Sequence, residues 1–193
     1  MCLPDEFRKY IPESNHAVFS SAVRTTLNSD HFLPYLYQKF LSADDFSSVL
    51  DISSDLSDRL RSNRFKCIGI SYEELVSLLK TRQITESRIR RALLHLILNI
   101  EEKTVESFRT EGIVFYAHVM GFKKSASPLL HKLKQQTQIP FITKTSSAEK
   151  NLSETAKKMW KQDFYASHLY RSVLASTYGI SFRTEYECSP IIL

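Results

Sequence analysis

Apolar residues recur along most of this chain three and four positions apart, the spacing that lays them on one face of a helix. In "SNHAVFSSAVRTTL" the repeat runs through Val18, Ala22 and Val23, behind a candidate N-cap at Ser14. Pro34 opens "PYLYQKFLS", where Leu36, Phe40 and Leu41 share a side. "SSVLDISSDLSDRLRSN" predicts a further amphipathic helix through Ile52, Leu56 and Leu60. In "SYEELVSLLKTR" Ser71 and Glu74 form an S-x-x-E capping box ahead of Leu75, Leu78 and Leu79. Residues 86–100 follow, with Ile89, Ala92, Leu93, Leu96, Ile97 and Ile100 on one broad arc, and Leu94 and Leu98 extending it. The polar stripe of that helix is Arg88, Arg91, His95 and Asn99, while Arg90 falls on the apolar side and must snorkel or find a partner.

The pattern changes after residue 110. "IVFYAHVM", residues 113–120, is short and rich in β-branched and aromatic residues, which predicts a strand ended by Gly121. "KKSAS" reads as a loop, and Pro128 suits the first turn of a helix "PLLHKLKQQ" with Leu129, Leu130 and Leu133 inward. "IPFIT", residues 139–143, predicts a second strand. Strand, helix, strand in that order is a βαβ unit with parallel strands and a right-handed crossover. Helix resumes over 152–176, with Leu152, Ala156, Met159 and Trp160 on one face and Ala166, Leu169, Tyr170 and Val173 on the next. The tail "SFRTEYECSPIIL" reads as a loop with room for one edge strand. The expected class is α+β and mostly α-helical: a helical bundle with a small βαβ unit. A single domain is expected over 1–193, helical over residues 1–110, with the βαβ unit and the C-terminal helices over residues 111–193.

Composition narrows the chemistry. Of 193 residues 42% are hydrophobic and 24% charged, which is globular composition. Four glycines and six prolines leave little for Gly-rich phosphate loops, and neither a P-loop nor G-x-G-x-x-G occurs. Cys2, Cys67 and Cys188 stand far apart, so a disulfide framework is not expected, and a reducing, cytoplasmic setting is. No apolar run is long enough to span a membrane. The six histidines make no i, i+4 pair, so no metal site is expected, and no nucleophile motif points to catalysis.

The net charge of +5 is unevenly placed. Residues 1–58 carry nine acidic and four basic side chains, 59–91 carry three and nine, and 121–150 carry one and six. Two basic blocks suggest an electrostatic face for phosphate. In the first block, Lys80 and Arg82 end one helix, and Arg88, Arg90 and Arg91 start the next. A cation at a helix start opposes the dipole, at a cost of up to about 1 kcal/mol, unless an anion docks there. The alternative is internal pairing with Glu73, Glu74 or Glu86. In the second block, Lys123 and Lys124 precede a helix that carries Lys132 and Lys134, and Lys144 follows the second strand. Its alternative is a solubilising surface. The candidate phosphate-contacting residues, RNA-binding ones if the resemblance below holds, are Lys80, Arg82, Arg88, Arg91, Lys123, Lys124, Lys132 and Lys144.

Four blocks, in order, resemble a known family. "YIPE" (10–13), "DLSDRLR" (55–61), "SYEELVSLLKTRQITESRIRRALLHLILN" (71–99) and "FYAHVMGFKKSASPLLHKLKQQTQIPFITK" (115–144) look like the C-terminal region of the bacterial tRNA(Met) cytidine acetate ligases, formerly grouped as nucleotidyltransferases. The resemblance covers about residues 8–193, and Lys80, Thr81, Arg82, Arg88, Arg91, Gly121 and Phe122 match family positions. Lys123 stands where the family has Asn, and the family's loop glycine is replaced around Ala126. The family's "H-x-G-H"-type motif does not occur.

The resemblance implies a tRNA-binding C-terminal domain of an ATP-dependent ligase that forms N4-acetylcytidine at the wobble position of elongator tRNA(Met). It further implies that ATP and acetate would bind a missing N-terminal domain, leaving no cofactor in this chain and no activity for the chain alone. Elongator tRNA(Met) is the expected partner. The alternative is a non-catalytic protein-interaction or scaffold module that retains this fold.

Overall fold

Serine hydroxyls decide where several of the helices begin. In the computed structural model, which describes residues 9–22 and 25–193, Ser53, Ser71 and Ser153 each accept a hydrogen bond from the backbone N–H three residues on. At Ser71 the capping box is complete, because Glu74 returns a carboxylate oxygen to the Ser71 N–H at 2.8 Å. The helices in chain order are α1 (His16–Ala22), α2 (Leu33–Ser42), α3 (Ser54–Asn63), α4 (Tyr72–Leu79), α5 (Glu86–Leu98), α6 (Glu102–Glu111), α7 (Ser127–Gln136) and α8 (Glu154–Tyr178). Between them lie β1 (Ala117–His118), β2 (Gly121–Phe122), β3 (Phe141–Ile142) and, after α8, β4 (Ile191–Ile192). The class is α+β, mostly helical. Cys2 and Val23 lie outside the described residues.

The expected periodicity builds the larger core. Leu36 and Phe40 of α2, Leu56 and Leu60 of α3, Leu75 and Leu79 of α4, and Ile89, Ala92 and Leu93 of α5 are all at most 1% exposed. They form one cluster with Phe46, Val49 and Ile52. Burying a Leu, Ile or Phe side chain contributes about 1.5–3 kcal/mol, so this cluster dominates the stability of the helical region. Cys67 is a fully buried member, and burial pushes its thiol up to about 11, which makes it a packing residue and not a nucleophile.

Helix ends in this region are closed by neighbouring elements. Arg59 of α3 donates from Nε to Leu79 O (3.1 Å) and from a terminal nitrogen to Leu78 O (2.7 Å), capping α4 with a cation where its dipole is negative. Asn99 ends α5 in the left-handed conformation. Gln162 and Tyr165 of α8 donate to Leu98 O (2.5 Å) and Ile97 O (3.2 Å), so α8 docks on the open end of α5. A second cluster gathers Ile142, Ala148, Leu152, Ala156, Trp160 and Phe164.

Strands β1 and β3 pair in parallel, as the βαβ pattern predicts, with Ala117 opposite Phe141. They are shorter than the 113–120 and 139–143 expected: Ile113 and Val114 are 75% and 65% exposed and lie outside the pairing. Gly121 does not end the strand. It begins β2, which pairs in parallel with β4 through Gly121 opposite Ile191. Segment 117–122 thus contributes one strand to each of two two-stranded parallel pairs, β1–β3 and β2–β4, a ribbon that α7 and α8 connect.

Three further expectations are corrected and a fourth is met. Residues 46–51 form turns and not the start of a helix, because Asp51 takes a left-handed conformation at φ 67°. Leu129 and Leu133 of α7 are 58% and 41% exposed, since among the described residues no element covers that face. Leu41, Leu94 and Tyr170 are also exposed at the margins of their apolar faces. The tail strand is real, but it pairs with β2 in parallel.

Gly121 marks the tightest approach in the ribbon. A β-carbon there would lie 2.9 Å from the Ile191 carbonyl oxygen, too close for backbone to accept. Gly121→Ala should displace β4. The Ile191 and Leu193 amides, which donate to Met120 O and Phe122 O, should lose hydrogen-exchange protection, while Ala117 and Val119 on the β3 side keep theirs. Unchanged protection at Ile191 would show that the ribbon tolerates the methyl group.

Candidate nucleic-acid interface

The first basic block is largely neutralised from within. The polar stripe of α5 faces the turn at 48–51 and meets Asp51 in particular. Arg91 donates from Nε to Asp51 Oδ2 at 3.2 Å, and His95 Nδ1 lies 3.4 Å from the same oxygen. Arg88 donates to the Asp51 backbone oxygen at 3.4 Å, and His95 Nδ1 also reaches Leu50 O at 3.2 Å. Lys39 of α2 donates to the Asn99 side-chain oxygen at the far end of the stripe. Arg91 thus has an internal anion, and Arg88 a backbone carbonyl, but neither meets Glu73, Glu74 or Glu86.

Those glutamates serve other groups. Arg90 grips Glu73 with both terminal nitrogens, at 2.8 and 2.5 Å, and its guanidinium lies 5.6 Å from the centre of the Tyr72 ring. The apolar-side arginine therefore pairs, and its stem covers an aromatic face. Lys80 reaches Glu86 at 2.6 Å instead of capping α4, which Arg59 already does. Hydrogen bonds from Arg90 and Lys80 hold the Glu73 and Glu86 carboxyls below the ordinary glutamate value of 4.5.

The remaining candidates are unpaired. Among the described residues Arg82, Lys123, Lys124, Lys132 and Lys144 make no salt bridge. Arg82 lines a recess with Lys80, Glu86 and Arg90 at the start of α5, and a second one with Asp55, Asp58 and Arg59. Lys123 and Lys124 stand where the chain leaves β2, and the Lys124 N–H donates to Leu193 O at 2.7 Å. Lys132 is exposed on α7. Lys144 follows β3 and lines a separate recess with Lys134. The recesses of Lys80 and Lys144 share no residue, so the structure groups Lys80 with Arg82, and Lys144 with Lys134, as separate sites.

Two participants escaped the sequence reading. Asp51 carried no signal, because its role depends on a left-handed turn that only tertiary packing defines. Lys134 stood in the second basic block but gained weight only once α7 brought it to the carboxyl end of β3. That position was inferable from the βαβ pattern, since ligands of parallel sheets sit beyond the carboxyl ends of strands.

The family model for the HIGH nucleotidyl transferases matches residues 3–183. The chain belongs to that family. A tRNA(Met) cytidine acetate ligase of Thermoanaerobacter sp. (strain X514) is 29% identical over 84% of this chain and 39% of its own length. One of Clostridium kluyveri is 31% identical over 85% of this chain and 37% of its own. This chain therefore spans about two-fifths the length of these curated relatives. Among solved structures, apo Thermotoga maritima TmcAL superposes with a TM-score of 0.84 at 20% identity, over 98% of this chain and 47% of that one. The same enzyme bound with alpha-thio ATP gives 0.82 over 95% of this chain. At that identity the likeness establishes the fold.

This assignment overturns one expectation outright. ATP and acetate were expected to need a missing N-terminal domain, yet residues 3–183 are themselves the match to the nucleotidyl transferase family. The expectation that the family's nucleotidyl transferase part is missing is therefore withdrawn, and with it the ground for a C-terminal-only chain that is inactive alone. The error came from weighing one four-residue motif. A family is carried by apolar positions and spacings over its whole length, which persist when a short string changes. Among the described residues no helix is long and apolar enough to cross a membrane, and no group of three metal-ligating side chains comes together.

The Asp51 turn can be tested by substitution. Asp51→Ala removes the carboxylate and puts a residue that avoids positive φ into a left-handed site, and should cost about 1–2 kcal/mol in chemical denaturation. Asp51→Asn tolerates the backbone and should cost less. Equal losses would place the whole effect in the charge. Acid offers a second test. Glu73 and Glu86 have folded values depressed below 4.5, so their contribution is present above pH 4.5 and disappears as pH falls through the folded values. The melting temperature should decline over that range, and less steeply in Glu73→Gln with Glu86→Gln.

Proposed function

We propose that this chain acts on tRNA in the ATP-dependent acetylation of cytidine, holding the RNA through its unpaired basic side chains. The observation that carries this reading is the match of residues 3–183 to the HIGH nucleotidyl transferases, together with relatives named tRNA(Met) cytidine acetate ligase. In that activity the acetate carboxylate would attack the α-phosphate of ATP and release pyrophosphate, and the N4 amine of the cytidine would then take the acetyl group from the mixed anhydride, losing a proton and releasing AMP. The wobble cytidine of elongator tRNA(Met) is the proposed target.

Unpaired cations support the RNA contact. Arg82, Lys123, Lys124, Lys132 and Lys144 can release counterions from a phosphate backbone without first breaking an internal salt bridge. Lys80, Arg88 and Arg91 enter the reading differently. Arg91 is 58% exposed in its side chain and uses Nε on Asp51, which leaves its terminal nitrogens to donate outward. Lys80 would have to give up Glu86, an exposed pair of small worth.

A second reading, a protein-interaction module, has its own support in exposed apolar side chains. Met120, Leu129, Leu133, Ile191 and Ile192 are each 41–67% exposed around the ribbon and α7.

Binding of an elongator tRNA(Met) transcript should be micromolar or weaker, with log affinity falling linearly in log salt. Lys123→Gln with Lys124→Gln should lower that slope by roughly 1–2 while leaving the melting temperature unchanged. Mass spectrometry of the RNA after incubation with ATP and acetate should show N4-acetylcytidine. Absence of binding at low salt, or a salt-independent affinity, would sink the tRNA reading and favour the interaction module.

A further inference from the structure

Beyond the carboxyl end of β3 lies a recess of about 280 Å³ whose polar lining carries cations and neutral donors but no carboxylate. Lys134 reaches it from α7 and Lys144 from the turn after β3; Thr143, Ser147 and Asn151 complete the polar set, and Phe141 forms part of the wall. We propose that this recess is a binding site for the phosphate group of a nucleotide. The proposal deepens the tRNA reading by giving one phosphate a seat, and rests on it only for the choice of RNA as a source.

The hydrogen bonding already present prepares the site. Lys134 Nζ donates to Thr143 Oγ1 at 3.1 Å, which aims the ammonium across the recess and leaves the threonine proton free to donate. Ser147 donates from Oγ and from its backbone N–H to Lys144 O, both at 3.3 Å, fixing the turn from which Lys144 projects. The Asn151 amide adds a neutral donor. Neither lysine has an acidic partner among the described residues, in contrast to Lys80, Arg90 and Arg91 at the other basic block. Two uncompensated ammonium groups lining one recess repel each other, and a phosphate offers acceptors to both of them and to the neutral donors beside them. The position is also where parallel sheets place ligands, outside the carboxyl end of a strand.

The full chain is titrated calorimetrically with inorganic phosphate, with adenosine 5′-monophosphate and with the tRNA transcript. The same is done for Lys134→Gln with Lys144→Gln, and for Lys158→Gln with Lys161→Gln on α8, which changes the net charge equally. Phosphate should bind the parent saturably and bind the Lys134/Lys144 variant at least about tenfold more weakly, as loss of two charge-assisted hydrogen bonds requires. The Lys158/Lys161 variant should bind as the parent, and all three should melt alike. Non-saturable phosphate binding, or equal affinity in the two double variants, would overturn the site. With phosphate bound, displacement by tRNA assigns the seat to the RNA backbone; displacement only by the mononucleotide assigns it to a free nucleotide. A chain that binds phosphate at this site but does not bind tRNA keeps the proposal and defeats the tRNA reading; the reverse pair of results does the opposite.

Discussion

The carbonyls at the end of α5 have to be satisfied, and most of the architecture follows from how that is done. A helix leaves its final carbonyls without intrahelical partners, and a buried helix cannot leave them to water. Here the chain turns back at Asn99, so that Ile100 N–H reaches His95 O at 2.9 Å. Ile100 in turn accepts from Leu50 at 2.9 Å, which ties the 48–51 turn beside α5. The outer carbonyls of Ile97 and Leu98 are met by Tyr165 and Gln162. One helix end thus fixes both the turn that carries Asp51 and the line of α8, and α8 carries Trp160 into the second cluster.

The two basic blocks look alike in a charge count and differ in their electrostatics. Between 80 and 91 the chain folds its cations against acids contributed by the acidic N-terminal region and by α4 and α5 themselves. Asp51 is the clearest case, a carboxylate from that region set against Arg91 and His95. Between 121 and 150 there is a single acidic residue, so the lysines have nothing to fold against. They stay uncompensated, and whatever potential the surface presents to a phosphate comes mainly from that side.

Helix positions and faces were readable because short-range rules govern them. The Ser71–Glu74 box, the arc through Ile89, Leu93 and Ile97, and the parallel pairing of 117–118 with 141–142 all follow from spacing and local capping. What misled was tertiary. An apolar side chain such as Leu129 or Leu133 signals burial only if some element arrives to cover it. Arg88 looked misplaced beside a helix dipole, because the Asp51 oxygen that meets it lies 37 residues away. The site suffered most: Thr143, Ser147 and Asn151 are unremarkable in sequence, and only the end of a strand gives them a common purpose. The absent H-x-G-H string misled in the other direction, toward a missing domain, an expectation the family match removes.

The pairing of β2 with β4 also sets an order of events. Gly121 and Ile191 touch across a separation of seventy positions, with α7, β3 and α8 between them. Helices α2 to α5 share one core drawn from residues 33–97 and can begin to assemble while synthesis continues, although the end of α5 waits for α8. The ribbon cannot be completed until residues 191–193 have emerged. Until then the edge of 120–122 is open, with Met120 and Phe122 carbonyls lacking the strand that will cover them. A nascent chain paused in α8 therefore presents a bare strand edge beside exposed Leu129 and Leu133, the kind of surface that chaperones and neighbouring polysomal chains compete for.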